Sequence, residues 1–248
     1  MQQDLQNKTA LVTGGTRGIG AAIVRRLAKD GAEVAFTYRN SEEEARKLVT
    51  ELEEMGVTAK GYQADAEQPE KLPEVVDEVV EAFGGLDILV NNAGIPGHSM
   101  IGETEFADYR RTMTVNVDAV FALTNAAVKV MPDGGRIINI GSVLGERASA
   151  PGMSPYNASK FAVAGLSRSW AKDLGARGIL VNVVEPGPVD TDLNPSDDSD
   201  KAEFMRSMTA LGRYGKPEEV AGIVAFLAGP EATNITGACI DVGGGWNA

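Results

Sequence analysis

Short β-branched, apolar runs alternate along this chain with longer stretches whose apolar residues recur at helical spacing. The runs predict strands near Ala10–Thr13, Glu33–Thr37, Thr58–Gln63, Asp87–Val90, Arg136–Ile140, Ile179–Val184 and Cys239–Val242. The stretches between them predict helices near Ile19–Asp30, Ser41–Met55, Glu70–Phe83, Phe106–Met131, Tyr156–Leu174 and Pro217–Leu227. Strands alternating with helices in this way run parallel and are joined by right-handed crossovers, which predicts a doubly wound α/β fold with helices on both faces of a seven-stranded sheet. The runs "ILV" and "RIINI" are apolar almost throughout, as parallel strands covered on both faces are. No linker, repeat or composition break marks a second domain, so 1–248 is expected to form one.

Most connections are short, but 189–214 is long and polar with a helical patch carrying Phe204, Met205 and Met208. A segment of this kind at the C-terminal edge of a sheet is a lid or is disordered, and a substrate lid is the expectation here.

The bulk properties narrow the setting. Of 248 residues, 43% are hydrophobic and 23% charged, the balance of an ordinary globular protein. The first residues lack a basic segment followed by an apolar one, and no uncharged apolar run reaches about eighteen residues, so a cytoplasmic protein is expected. Cys239 has no partner for an internal disulfide, and with His98 it leaves little for a transition-metal site, so no metal is expected. Cys239 reads as a small core residue and His98 as a loop residue without a catalytic role. A net charge of −12 without a Lys/Arg cluster makes nucleic acid a poor partner.

The stretch "TALVTGGTRGIGAAIVRRL" places Gly14, Gly15, Gly18 and Gly20 between a strand and a helix. Glycines there permit a tight turn and a close approach of ligand, so that backbone amides meet a pyrophosphate at the positive end of the helix dipole. An ordinary strand-to-helix turn is the plainer reading. The spacing Gly-x-x-x-Gly-x-Gly differs from the commoner dinucleotide fingerprint. "TGGTRGIG" resembles instead the cofactor motif of the short-chain dehydrogenase/reductase family. Further motifs of that family follow in order: Asp65, "NNAG" at Asn91–Gly94, Asn116, Ser142, "YNASK" at Tyr156–Lys160 and "PGPVDT" at Pro186–Thr191. The resemblance covers essentially the whole chain and implies a Rossmann-type catalytic domain, with bacterial carbonyl reductases and 3-oxoacyl-carrier-protein reductases the nearest kinds.

Tyr156 and Lys160 lie four residues apart behind Pro155, a residue suited to a first helical turn, so both side chains are expected on one face. An ammonium near a phenol favours phenolate and lowers its pKa from about 10, giving a usable acid or base. Ser142 is suited to hydrogen-bond the same carbonyl oxygen. Each also has a plainer reading: an amphipathic face for the pair, a turn cap for Ser142, a solvated helix residue for Asn116. The resemblance implies Tyr156 as general acid/base, Lys160 on the nicotinamide ribose, Ser142 positioning the carbonyl and Asn116 supporting a proton relay. Fourteen positions separate Ser142 from Tyr156, one more than is common in the family, and the insertion in "VLGERASAPGMSP" is expected to border the substrate pocket.

The same resemblance implies a cofactor cradle of Gly14, Thr16, Arg17, Gly18, Ile19 and Gly20. Asp65 and Ala66 would meet the adenine, Asn92, Ala93 and Gly94 would line the crevice, and Pro186, Gly187, Val189 and Thr191 would hold the carboxamide. NAD-specific folds of this type place an acid about twenty residues beyond the glycines. Here that place reads Tyr38, Arg39, Asn40 and Ser41, so NADPH (NADP) is expected, with Arg39 and Arg17 supplying positive charge; a solvated Arg39 is the alternative.

The leading expectation is therefore a carbonyl reductase/alcohol dehydrogenase for small ketones or aldehydes. The alternatives are a 3-oxoacyl-carrier-protein reductase and a non-catalytic regulator that binds a cyclic dinucleotide. "KVMPDGGR" offers little of the positive charge that an acidic carrier protein needs, and Arg177 alone is a small patch. Asp197, Asp198 and Asp200 in the lid add repulsion, while Phe204, Met205 and Met208 either line a pocket for small ketones or simply pack the lid helix. The resemblance also implies a homotetramer joined through Phe106–Met131 and Tyr156–Leu174, with an exposed Trp246 covered by a neighbour.

Overall fold

The computed structural model describes residues 4–248; residues 1–3, where the expected domain and the segment read for an export signal begin, lie outside the described residues. Seven strands form one parallel sheet: β1 (Thr9–Val12), β2 (Glu33–Tyr38), β3 (Ala59–Gln63), β4 (Ile88–Asn91), β5 (Arg136–Ile140), β6 (Leu180–Pro186) and β7 (Cys239–Val242). Their order is β3-β2-β1-β4-β5-β6-β7. The chain first works outward from β1 to β3 and then returns to lay β4 on the other side of β1. That reversal opens a crevice at the carboxyl ends of β1 and β4, where ligands of such sheets bind.

The alternation of side chains along β1 explains the two cores. Ala10 and Val12 face one layer with Ile23, Val24 and Leu27 of α1 (Gly18–Lys29), Leu48 and Leu52 of α2 (Glu42–Glu54), and Val220 and Val224 of the late helix Pro217–Ala228. Leu11 faces the opposite layer with Val75, Val76 and Val79 of α3 (Leu72–Phe83). Both sets are buried, and truncating any one of these leucines or isoleucines to Ala would cost about 2–5 kcal/mol.

The region expected as one helix over Phe106–Met131 is three pieces. α4 (Phe106–Met113) passes through a π-helical turn at Thr114–Asp118 into α5 (Ala119–Val130). No Gly or Pro marks the break, so periodicity alone shows a continuous helix; the wider turn is held by Asn116, whose partners are far away in sequence. α6 runs Ser154–Leu174 with Pro155 in its first turn. α7 (Asp200–Ser207) lies in the long polar segment and opens on Ser199, whose hydroxyl accepts from the Ala202 amide at 3.3 Å. α8 (Pro217–Ala228) covers the first core.

Trp246 is not the exposed residue expected. It is 7% exposed and donates its indole N–H to Ser149 Oγ at 2.9 Å. The chain after β7 turns back through Gly244 and Gly245, both at positive φ, and folds over the connection that follows β5. Asn247 adds a bond from its amide to the Val143 carbonyl at 3.0 Å. Among the described residues, no helix is long and apolar enough to cross a membrane.

Candidate active site

The β1–α1 turn is built for close approach. Gly14 sits at φ +65, and a Cβ on Gly20 would lie 2.1 Å from the Gly14 carbonyl oxygen, so neither position accepts a side chain. The turn is tied to the β4 end: Thr13 Oγ1 accepts from the amides of Asn92 and Ala93, both at 2.9 Å, and Asn92 Nδ2 donates to the carbonyls of Thr13 at 2.9 Å and Gly14 at 3.2 Å. On the other side, Thr37 Oγ1 accepts from the Gly14 amide at 3.2 Å. α1 has no side-chain cap from Arg17 and no acid in its first turn, which leaves its N-terminus suited to an anion.

This turn floors a cavity of about 1140 Å³. Every expected cofactor residue lines it: Gly14 and Thr16 to Gly20 at the turn, Tyr38 to Ser41 after β2, Asp65 and Ala66 after β3, Asn92 to Gly94 after β4, and Pro186, Gly187, Val189 and Thr191 after β6. Ser142, Tyr156 and Lys160 line it as well, whereas Asn116 lies behind the wall. Asp65 also has the turn role that was its plainer reading, accepting from the Glu67 amide at 3.0 Å.

Ser142 ends the connection from β5 and does two things. Its hydroxyl accepts from the Leu144 amide at 3.2 Å, capping the 3-10 turn Val143–Gly145, and it also acts on the Tyr156 phenol, favouring its charged form. Lys160 is buried and donates to the Ile140 carbonyl at 2.8 Å, its Nζ lying 5.6 Å from the centre of the Tyr156 ring. Asn116 is 1% exposed rather than solvated. Its Oδ1 accepts from the Ile95 amide at 2.9 Å, and its Nδ2 donates to the Ile95 carbonyl and to Ser159 Oγ, both at 3.0 Å. Ser159 in turn donates to the Tyr156 carbonyl at 2.7 Å, so Asn116 fixes both the β4 connection and the first turn of α6.

The electrostatics depart from the expected lowering of the Tyr156 phenol by Lys160. Burial pushes Tyr156 above its usual value, and the bond from Ser142 only partly pulls it back. Burial likewise lowers Lys160 to about 8. With its proton directed to the Ile140 carbonyl, the ammonium sits too far from the phenol to outweigh desolvation in the free protein. Beneath the site, Glu185 of β6 is fully buried, and burial pushes its carboxyl up to about 7, with the nearby charge of Glu146 adding to the effect. Cys239, expected as a small core residue, is half-buried in a group with Glu146 and Glu185, their ligand atoms within 4.8 Å of one another.

The other end of the cavity holds residues that sequence reasoning passed over. Glu67 and Arg111 carried no motif signal and come from elements distant in sequence. The 143–155 connection does border the cavity, through Val143, Leu144, Ala150, Pro151 and Met153. His98 is a loop residue as expected, but it also lines the cavity; a Cβ on Gly152 would fall 2.7 Å from its Nε2. Phe204 and Met205 line the cavity from α7, whereas Met208 does not.

Residues 14–247 match the family model described as Enoyl-(Acyl carrier protein) reductase. The chain belongs to the short-chain dehydrogenase/reductase family. It is similar to the cyclic-di-GMP-binding biofilm dispersal mediator protein of Escherichia coli K12, with 45% identity over 97% of this chain and 98% of the relative. It is also similar to the 3-oxoacyl-(acyl-carrier-protein) reductase FabG of Vibrio cholerae serotype O1, with 38% identity over 98% of each. Among solved structures, a blue fluorescent protein from a metagenomic library, in complex with NADPH, matches with a TM-score of 0.96 and 50% identity over 99% of this chain and 100% of that one. As a short-chain dehydrogenase/reductase, the chain is an oxidoreductase with a Rossmann-like sheet.

Proposed function

We propose that this protein is an NADPH-dependent carbonyl reductase, working equally as an alcohol dehydrogenase in the reverse direction, on small ketones or aldehydes. The observation that carries the reading is the convergence of Ser142, Tyr156 and Lys160 on the cavity whose floor is the glycine turn. A regulator that only bound a dinucleotide would have no use for all three. The cradle fits the cofactor: Gly20 leaves no room for a Cβ, α1 presents an uncapped N-terminus, and no acid occupies Tyr38–Ser41.

Bound NADPH supplies the hydride. Ser142 holds the carbonyl oxygen, Tyr156 donates its phenolic proton to that oxygen, and Lys160 holds the ribose and steadies the resulting phenolate. Asn116 supports proton return by keeping the Ile95 connection and α6 in register. Burial keeps the Tyr156 phenol protonated at neutral pH, so it holds the proton that reduction requires; as a weaker acid it gives that proton up only to a strongly basic oxygen, which the carbonyl oxygen becomes on receiving hydride.

Similarity to FabG supports the carrier-protein alternative. Against it stands the fate of Arg177, which bonds Asp133 at 3.0 Å and the carbonyls of Val128 and Met131, and so serves the end of α5 rather than a docking surface. Steady-state assays with a ketoester and the matching carrier-bound thioester test the choice. Higher kcat/KM on the ketoester is expected, and higher kcat/KM on the thioester would overturn it. Absence of any NADPH oxidation across a ketone panel would favour the regulator. The reading includes a single cytoplasmic domain over 1–248, a lid at 189–214 and a homotetramer. Phe121 on α5 and Phe161 on α6, 49% and 46% exposed, support that assembly, and light scattering at a monomer mass would refute it.

A further inference from the structure

Three charged side chains at one rim of the cavity are already bound to each other. Glu67 Oε1 accepts from Arg39 Nη1 at 2.8 Å and from Arg111 Nε and Nη2 at 3.0 and 2.9 Å. All three line the cavity alongside Tyr38, Asn40 and Ser41. They arrive from separate elements: Arg39 follows β2, Glu67 follows β3, and Arg111 belongs to α4. Their backbones are anchored, with the Glu67 amide donating to Asp65 Oδ1 at 3.0 Å and Gln63 Nε2 donating to the Arg39 carbonyl at 2.9 Å. Arg111 foremost, and then Arg39, hold the Glu67 carboxyl below the usual carboxylate range, so it is charged at neutral pH.

We infer that Glu67 sets how strongly the protein prefers NADPH over NADH, by competing within the chain for the guanidinium that would meet the 2′-phosphate. The inference deepens the cofactor reading above and rests on it. Arg39 is the cation placed where an NAD-specific relative would carry an acid, yet its charge is already engaged by a carboxylate. A 2′-phosphate must therefore take Arg39 from Glu67 and then sit near that like charge. NADH makes no such demand. Arg111 is what makes the exchange possible: it grips the same carboxylate oxygen through two nitrogens, so Glu67 keeps a partner when Arg39 leaves. The three side chains are a third to a half exposed, so the contest is between partly solvated pairs and its scale is a few-fold.

The two positions carry opposite predictions. Glu67→Gln keeps the shape and removes the charge; it should tighten NADPH about 3- to 10-fold and leave NADH within about 2-fold. Arg111→Gln leaves Glu67 with Arg39 alone and should weaken NADPH about 2- to 3-fold, again sparing NADH. Fluorescence titration of parent and both variants with each cofactor, at about 20 mM and 500 mM salt, reads all of this, and the gain in Glu67→Gln should shrink at the higher salt. If the parent binds NADPH and Glu67→Gln leaves the ratio of the two dissociation constants unchanged, or lowers NADPH affinity, the inference fails and the cofactor reading stands. A stronger preference for NADPH over NADH in Arg111→Gln would also overturn it. A parent that binds neither cofactor overturns the cofactor reading and this inference together.

Discussion

At the catalytic end of the cavity, side chains are fixed by hydrogen bonds to buried backbone, whereas at the rim made by β2, the β3 connection and α4 they are fixed by ion pairs that water can reach. Thr13, Asn92, Asn116 and Lys160 each bond main-chain groups of another element. Arg39, Glu67 and Arg111 bond one another. Bonds of the first kind are hard to exchange, because breaking one strands a buried partner at about 1–3 kcal/mol. Bonds of the second kind are worth roughly 0–1 kcal/mol and yield readily to a better anion. Rigid buried bonds suit a place where atoms must be held for proton transfer. Exchangeable charges suit a place where a ligand is sorted.

Substitutions at the catalytic end should therefore act on rate and folding, and those at the rim on cofactor affinity alone. The largest effect is expected from Tyr156→Phe, which should lower kcat by roughly 10²–10⁴-fold while NADPH binding persists. A kcat within a few-fold of the parent would remove Tyr156 from the mechanism. Next comes Glu185→Gln beneath the site. The Glu185 carboxyl titrates near 7 when folded and at its ordinary value, 4.5, when unfolded, so the native state binds the extra proton between those values. Its stabilising contribution is complete below about pH 4.5 and is lost as pH rises through 7, a change on the order of 3 kcal/mol. The Gln variant should lack this slope and melt higher than the parent at pH 8 but not at pH 4.5; parallel melting profiles would show that Glu185 is not so shifted.

Asn116→Ala should cost about 1–3 kcal/mol of stability by stranding the Ile95 amide and carbonyl, and should lower kcat more than it raises the KM for NADPH. Equal effects on both would erase the contrast between the two ends. The smallest change is expected from Arg39→Gln, a few-fold loss of NADPH affinity at low salt that fades at high salt, with kcat unchanged. A large kcat loss there would mean that the rim also shapes the reacting end.

What could be read from the sequence was what neighbouring residues determine together. The strands, the glycine turn and the common face of Tyr156 and Lys160 all follow from local spacing, and each expected cofactor residue reached the cavity wall. What escaped depends on pairs far apart in the chain. The π turn is held by Ile95 and Ser159, the burial of Trp246 depends on Ser149, and the neutralisation of Arg39 depends on a glutamate beyond the next strand. The lowering of the Tyr156 phenol was argued from one neighbour, but desolvation by the whole surrounding core outweighed that pair.

The π turn at Thr114–Asp118 has a bearing on how this chain tolerates changes in length. Its hydrogen-bonded ring holds one backbone position more than an α-helical ring, so removing a single residue would let α4 and α5 merge into one regular helix. Locally that is an improvement. Because the wider turn absorbs its extra position within a single turn, α5 would keep roughly its phase after the deletion, and Leu123 and Ala127 would stay against the sheet. What would be lost is the outward step of backbone at Asn116 and with it the reach to Ile95 and Ser159; a chain shortened here keeps its core and loses the tie between the β4 connection and α6.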